Sequence, residues 1–126
     1  MIEAATAGDR ERVEHLIAHD PTLTQQAIAR YSDQLVGAAQ TNSLGGVALL
    51  IDLGFDVNAI NRLQGYHESA PLHEAAAHGN LEMIELLLAH GADPDLRDAS
   101  YDSTPAGWAE HFGQTEAQQY LAGSEA

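Results

Sequence analysis

Apolar and polar residues follow a helical pattern in the stretch from Leu72 to Asp95, which reads LHEAAAHGNLEMIELLLAHGADPD. Its first half is a short alanine-rich run that ends at Gly79, a residue suited to the left-handed conformation that closes many helices. Its second half places Ile84, Leu87 and Leu88 at spacings of three and four, as on one apolar helix face. The pattern predicts two short helices joined at Gly79.

The same pattern recurs along the chain. Moved back by 37 positions, the stretch aligns with residues 35–58, LVGAAQTNSLGGVALLIDLGFDVN, and moved back by 71 it aligns with residues 4–20. Moved forward by 34 positions, its alanine, glycine and leucine positions meet Ala109, Gly113 and Leu121. The chain therefore repeats a unit of about 33–37 residues four times.

A helix pair of this size cannot bury its apolar face alone, whereas stacked neighbours can cover one another. Asn42 replaces the first glycine stop in the second unit, and asparagine also tolerates the left-handed conformation. We expect one all-α domain over residues 1–126, a short solenoid of stacked helix-turn-helix units with projecting turns. The expected repeats cover about 1–31, 32–63, 68–98 and 101–124.

The third unit resembles the ankyrin repeat. Residues 69–98, SAPLHEAAAHGNLEMIELLLAHGADPDLRD, contain the Ala-Pro-Leu-His start, the glycine in the middle and the closing Gly-Ala-Asp. The fourth unit keeps Thr104-Pro105 but lacks the Leu-His that follows; the second lacks the proline and histidine, and the first lacks its opening turn. The resemblance covers nearly the whole chain and implies a short ankyrin-repeat solenoid of four repeats, the first and last degenerate.

The stretch from Leu72 to Gly79 also looks like the His-Glu-x-x-His signature of zinc proteases. That signature needs histidines four residues apart, but His73 and His78 are five apart, which places their rings roughly 140° apart around a helix. We therefore expect no metal site and no cofactor. The resemblance to ankyrin repeats implies that His73 is structural and ties its turn to a neighbour by hydrogen bonds, whereas Glu74 and His78 occupy exposed helix positions.

The composition narrows the classes of function. The chain has 19 acidic residues against five arginines, a formal net charge of −14, which disfavours binding to nucleic acid. It has no cysteine, no apolar run near 18 residues and no signal-peptide pattern, so we expect a cytoplasmic monomer without a membrane span. A phosphate-binding loop, a nucleophile triad and paired catalytic carboxylates are all missing from the sequence, so we expect no enzyme.

The resemblance implies that a partner meets the concave face, formed by the first helix of each repeat and by projecting turns at 61–69 and 97–103. Trp108, the only tryptophan, falls on the row of positions facing this groove, where it would form an aromatic patch with tyrosines and a phenylalanine of the kind that supplies interface hot spots. Alternatively, it folds over to cap the core of the degenerate last repeat. The candidate partner-binding residues are Trp108, Tyr66, Tyr101, His67, Glu74, His78, His111 and Phe112.

Three functions compete at this point. The first is a protein-protein interaction module that binds a protein or peptide partner through its concave face. The second is an acidic inhibitor or immunity-type protein that blocks a basic partner by charge complementarity. The third is an enzyme that uses His73, His78 and His111 with Glu74. The second function would be favoured if five carboxylates clustered on one concave rim. These carboxylates are Asp33, Glu68, Glu74, Asp102 and Glu110.

Overall fold

The computed structural model describes residues 5, 8–30, 34–60, 69–98 and 100–125. Within these ranges the chain forms eight helices and no strand. None of the described helices combines the length and the apolar character needed to cross a membrane. The helices are α1 (Arg10–His19), α2 (Leu23–Arg30), α3 (Gln34–Gln40), α4 (Leu44–Asp52), α5 (Pro71–His78), α6 (Leu81–Ala89), α7 (Pro105–His111) and α8 (Thr115–Glu125).

The later helices stack in two layers. The pairs α3 with α4, α5 with α6, and α7 with α8 each pack together as one unit. Helix α5 lies between α3 and α7 in the first layer, and α6 contacts both α4 and α8 in the second. This arrangement confirms the expected all-α solenoid of stacked helix pairs.

Several of the short helices start at a capping side chain and stop at a residue that tolerates the left-handed conformation. The Ser43 hydroxyl accepts the Gly46 N–H at the start of α4, and the Asn80 side chain accepts the Met83 N–H at the start of α6, both at 3.1 Å. Asn42 has φ 60°, close to the 66° of Gly79 at the matching position of the next unit. The prediction that Asn42 replaces the glycine stop is therefore confirmed.

The core lies between the two layers. Alanine pairs on α3 and α5, at 38–39 and 75–76, are fully buried, and their small side chains let neighbouring helices approach closely. Larger apolar side chains from both layers fill the space around them. The largest of these fully buried apolar residues are Leu35, Leu50, Leu72, Met83, Ile84, Leu87 and Leu121.

Hydrogen bonds between equivalent turns show the repeat period directly. The Asn58 side chain donates to the carbonyl of Gly91 at 3.1 Å and accepts the N–H of Asp93 at 2.8 Å, across 33 and 35 residues. Asn80 donates to the side chain of Asn42 at 2.9 Å, across 38 residues. Each unit is thus held to the next by polar contacts at its ends as well as by the apolar core.

The backbones of the first two units approach closely at Gly8. This residue has φ 78°, and a methyl group added to it would lie 2.9 Å from the carbonyl carbon of Gly45. Nonbonded carbon atoms prefer about 3.5–4.0 Å, so Gly8 has no room for a side chain, whereas a methyl group on Gly45 would lie 3.7 Å from the Gly8 Cα. Gly113 has a similar φ of 73°, but a methyl group there would meet no atom within 4 Å.

This contrast gives a matched pair of substitutions. Gly113→Ala should lower the free energy of unfolding by about 1–2 kcal/mol, the cost of a left-handed alanine. Gly8→Ala should lose a further 1–3 kcal/mol or so, because the two backbones must also separate. Urea denaturation followed by circular dichroism measures both, and equal losses would show that the Gly8 contact does not constrain the stack.

Candidate functional site

A surface cavity of about 380 Å³ opens between α7 and the turn that precedes it. It contains four of the residues expected to bind a partner, namely Trp108, Tyr101, His111 and Phe112. We call these four residues and their two neighbours the aromatic cavity. Its lining residues are Tyr101, Ser103, Gly107, Trp108, His111 and Phe112.

Two exposed rings flank a buried one. Trp108 is only 6% exposed, and its ring centroid lies 6.4 Å from that of Tyr101 and 6.1 Å from that of Phe112. Tyr101 is 61% exposed and Phe112 is 52% exposed. The ring of His111 meets that of Phe112 edge to face at 5.0 Å. The cavity therefore has a tryptophan floor between two accessible aromatic walls.

The placement of Trp108 decides between the two roles that the sequence left open. Its side chain packs in the core of the last unit, so the expectation of an exposed tryptophan on the groove row is wrong. The physical reason lies in its polar end, because the indole N–H donates to the carboxylate of Asp98 at 3.0 Å, a buried hydrogen bond. Trp108 reaches the surface only as the floor of the aromatic cavity.

Asp98 organises the turn on which the cavity is built. Its carboxylate accepts three hydrogen bonds, from the indole of Trp108 and from the backbone N–H groups of Ser103 at 2.8 Å and Tyr101 at 2.6 Å. Its side chain has almost no exposed surface, and its backbone N–H donates to the carbonyl of Ser103. This one side chain therefore fixes both the tryptophan floor and the turn that presents Tyr101.

The hydrogen bonds also keep Asp98 ionised. Burial raises the pKa of this carboxyl, but the bonds from Trp108, Ser103 and Tyr101 outweigh it, and the attraction of His73 adds to them. The pKa therefore lies below the ordinary value of 3.8. A fixed negative charge lies beneath the aromatic cavity at neutral pH.

His73 is a structural residue, as the resemblance to ankyrin repeats implied. Its Nδ1 accepts the N–H of Ala70 at 3.2 Å, and its Nε2 donates to the carbonyl of Ser103 at 2.9 Å, 30 residues away. These partners fix the neutral tautomer with the proton on Nε2. The fully buried ring, 5.3 Å from that of Trp108, ties the start of α5 to the turn before α7.

Glu74, another candidate partner-binding residue, does not line the aromatic cavity. Glu74 was expected at an exposed position, but it is only 9% exposed and its Oε1 accepts the Ser69 hydroxyl at 2.8 Å, so that expectation is wrong. A long side chain on the first turn of α5 folds back onto the preceding turn here. His78 is exposed as expected, and its Nε2 donates to the carbonyl of Gln40 at 2.7 Å, towards the second unit rather than the aromatic cavity.

The other predicted site residues divide into two groups. Tyr66 and His67 lie outside the described residues, as do two of the five carboxylates proposed for an acidic rim, Asp33 and Glu68. Of the remaining three carboxylates, Glu74 is buried, whereas Asp102 and Glu110 are exposed. No common rim of the five acidic residues can be assigned from these positions.

The histidines of the described residues do not join a larger cluster of potential metal ligands. No group of three or more potential metal ligands occurs in the described part of the chain. His15 and His19 do lie four residues apart on α1, with ring centroids 4.8 Å apart, but they stand as an exposed pair. Both ring nitrogens of His73 are occupied by the backbone, so it has no free atom for a proton transfer or a ligand.

The residue that sequence reasoning missed is Asp98. It lies in a polar turn, DASYDSTP, just before the Thr-Pro that starts α7, where aspartate commonly bonds nearby backbone N–H groups. That local signal predicts a turn, but not burial. Burial follows only when Trp108, ten residues later, is packed against the same carboxylate.

The ankyrin-repeat family model, described as ankyrin repeats in three copies, matches residues 1–98 and again 35–126. Together these matches span the whole sequence. The chain therefore belongs to the ankyrin-repeat family, whose members are generally protein-protein interaction modules rather than catalysts. The bounds of the four individual repeats stay a prediction.

Several named proteins are similar in sequence to this chain. The ankyrin repeat and KH domain-containing protein mask-1 of Caenorhabditis elegans is 31% identical over 121 residues, which is 96% of this chain. The 2-5A-dependent ribonuclease of mouse is 34% identical over 74 residues, or 59% of the chain, and the mouse ARF GTPase-activating protein GIT2 is 34% identical over 90 residues, or 71%. The chain spans only 4%, 10% and 12% of the lengths of these proteins.

The contribution of the Asp98 carboxylate to stability can be tested by comparing its substitution with that of Asp102, an exposed neighbour. Asp98→Asn should lower the free energy of unfolding by about 1–3 kcal/mol, because the new amide NH₂ faces an N–H donor that needs an acceptor. Asp102→Asn should change it by less than about 0.5 kcal/mol, since Asp102 is exposed and has φ 52°, which asparagine also adopts. Chemical denaturation at pH 7 measures both, and a neutral Asp98→Asn would contradict the role given to this turn.

The buried imidazole predicts a dependence of stability on pH. Burial lowers the pKa of His73 below the ordinary value of 6.5, against the opposing effects of Ser103 and Asp98. As the pH falls below 6.5, the unfolded chain takes up this proton before the folded chain does. The stability that is present above pH 6.5 is therefore lost as the pH falls towards the lower pKa of the folded ring.

Denaturation curves between pH 7.5 and about 5 measure this loss. His73→Gln should be less stable at every pH but should show a smaller slope in this range. His90→Gln should keep the slope, since it leaves His73 in place. The contribution of Asp98 does not interfere, because its pKa lies below 3.8 and its loss belongs to stronger acid. A slope unchanged in His73→Gln would contradict the assignment.

Proposed function

We propose that this chain is an interaction module that binds a protein partner on its concave face, with the aromatic cavity as the main contact. The concave face in this proposal consists of α3, α5 and α7 together with the turn before α7. The observation that carries it is the pair of accessible rings, Tyr101 and Phe112, held on either side of the buried Trp108.

The aromatic cavity has the character of an interface hot spot. Only three large apolar side chains are exposed in the described residues, and two of them, Tyr101 and Phe112, line this one cavity. Aromatic side chains bury much area on binding while few rotatable bonds are fixed. The rings gather in one place on a surface that otherwise presents few large apolar groups, which supports a docking function.

The floor of the cavity is already in its final position before a partner arrives. The Asp98 carboxylate holds the indole of Trp108 and the backbone of Tyr101 at the same time. A site whose side chains are fixed in advance loses less conformational entropy on binding than a flexible one. This preorganisation supports specific recognition by the aromatic cavity.

Of the competing functions, the interaction module is the one that the described side chains support. An acidic inhibitor would need its carboxylates together on an accessible rim, and Glu74 is buried against Ser69. The net charge of −14 still favours a partner of basic character, since opposite charge speeds encounter between proteins. We expect the module to bind this partner as a monomer.

The proposal can be tested by removing each exposed ring. Tyr101→Ala and Phe112→Ala should each reduce recovery of the same partner from native lysate by about fivefold to thirtyfold, the effect of losing about 1–2 kcal/mol at a hot spot. Tyr120→Ala is the matched control, because Tyr120 is also exposed, at 40%, but lies on α8 outside the cavity.

All three variants should unfold at nearly the same denaturant concentration as the parent chain, since each side chain is largely exposed. Trp108→Ala is not a suitable test, because it also removes core packing and a buried hydrogen bond. Undiminished recovery by both Tyr101→Ala and Phe112→Ala would exclude the aromatic cavity as the binding site.

A further inference from the structure

Negative charge outweighs positive charge around the aromatic cavity. The Asp98 carboxylate lies beneath its floor, and Asp102 follows Tyr101 in the wall. The nearby cation is Arg97, whose guanidinium already lies 3.8 Å from the Asp102 carboxylate and donates to its backbone carbonyl at 2.9 Å. Two carboxylates against one guanidinium leave a net negative charge beside the aromatic rings.

The aromatic rings attract positive charge for a second, independent reason. The face of an aromatic ring carries partial negative charge and attracts a cation within about 6 Å of its centroid. Tyr101 and Phe112 are both more than half exposed, and each ring packs against Trp108. The hydrogen bond from the indole N–H to a carboxylate polarises the tryptophan ring and makes its face more negative.

The size of the cavity limits what it can hold. At about 380 Å³ it is near the lower end of ligand sites, which span about 300–1,000 Å³. That volume suits one long side chain rather than a helix or a folded element. An acidic side chain would meet the carboxylates, and a purely apolar one would remove water from them without supplying a partner charge.

We infer that the aromatic cavity binds one cationic side chain, arginine or lysine, of the protein partner. The location of this contact rests on the proposed function. The cation would lie between the rings of Tyr101 and Phe112, where two aromatic faces and the surrounding carboxylates act on it together. This contact would make positive charge at one position of the partner a requirement for recognition.

The test uses defined peptides and the full chain labelled with ¹⁵N. Three glycine-serine peptides with blocked ends carry a single central arginine, lysine or citrulline, the last being a neutral side chain of nearly the same shape as arginine. Titrations follow the nuclear magnetic resonance signals of the Trp108 indole N–H and the Gly107 amide. The arginine and lysine peptides should shift these signals and bind about twofold to thirtyfold more tightly than the citrulline peptide.

Substitutions distinguish the attraction of the aromatic rings for a cation from that of the carboxylates. Tyr101→Leu and Phe112→Leu should weaken the arginine peptide severalfold, whereas Tyr120→Leu should leave it unchanged. Asp102→Asn should weaken binding of the arginine peptide but not of the citrulline peptide, since only charge is removed. Raising the salt concentration should have the same selective effect on the arginine peptide.

Equal binding of the arginine and citrulline peptides would overturn the inference, as would the absence of any shift at millimolar peptide. Neither result would contradict the proposed function if Tyr101→Ala still reduced recovery of the native partner. Conversely, selective arginine binding together with full partner recovery by Tyr101→Ala and Phe112→Ala would show a cation site that the partner does not use. That outcome would exclude the aromatic cavity as the main contact of the partner and, with it, the assignment of the cationic side chain to that partner.

Discussion

No helix pair of this chain can cover its own apolar face. The fully buried residues come from both layers, and α5 is buried only because α3 and α7 lie on its two sides. Stability is therefore shared between units in the manner of a solenoid, with each interface supplying what a single unit lacks. The fully buried alanines at 38–39 and 75–76 allow this close stacking. Residues with positive φ, such as Asn42 and Gly79, end the short helices that stack.

The polar contacts between units do more than hold the ends of the stack. His73 joins the start of α5 to the carbonyl of Ser103, and Asp98 joins the same turn to the indole of Trp108. Because the turn is fixed from both sides, the exposed ring of Tyr101 is presented beside α7 in a defined place. The interactions that stabilise the last interface are thus the ones that build the candidate binding site.

The buried His73 and Asp98 have structural roles. Their polar atoms are satisfied by backbone groups and by the indole of Trp108, which is the usual state of buried polar side chains. What remains accessible for recognition is a pair of aromatic rings and the charges around them. This division agrees with a family of interaction modules, in which a stable scaffold presents variable surface residues to different partners.

The sequence by itself determined the fold class, the period and the helix stops, because each depends on local patterns that recur about every 34 residues. The structural role of His73 came from the resemblance to ankyrin repeats, since this histidine does not recur in the second or fourth unit. It also brought four aromatic-cavity residues onto one list, since all lie within twelve residues of one another. Only the tertiary structure decided that Trp108 and Glu74 turn inward and that Asp98 is the centre of the turn. Burial of a polar or amphipathic side chain depends on which partner atoms lie nearby in space, and a periodic sequence pattern does not specify those atoms.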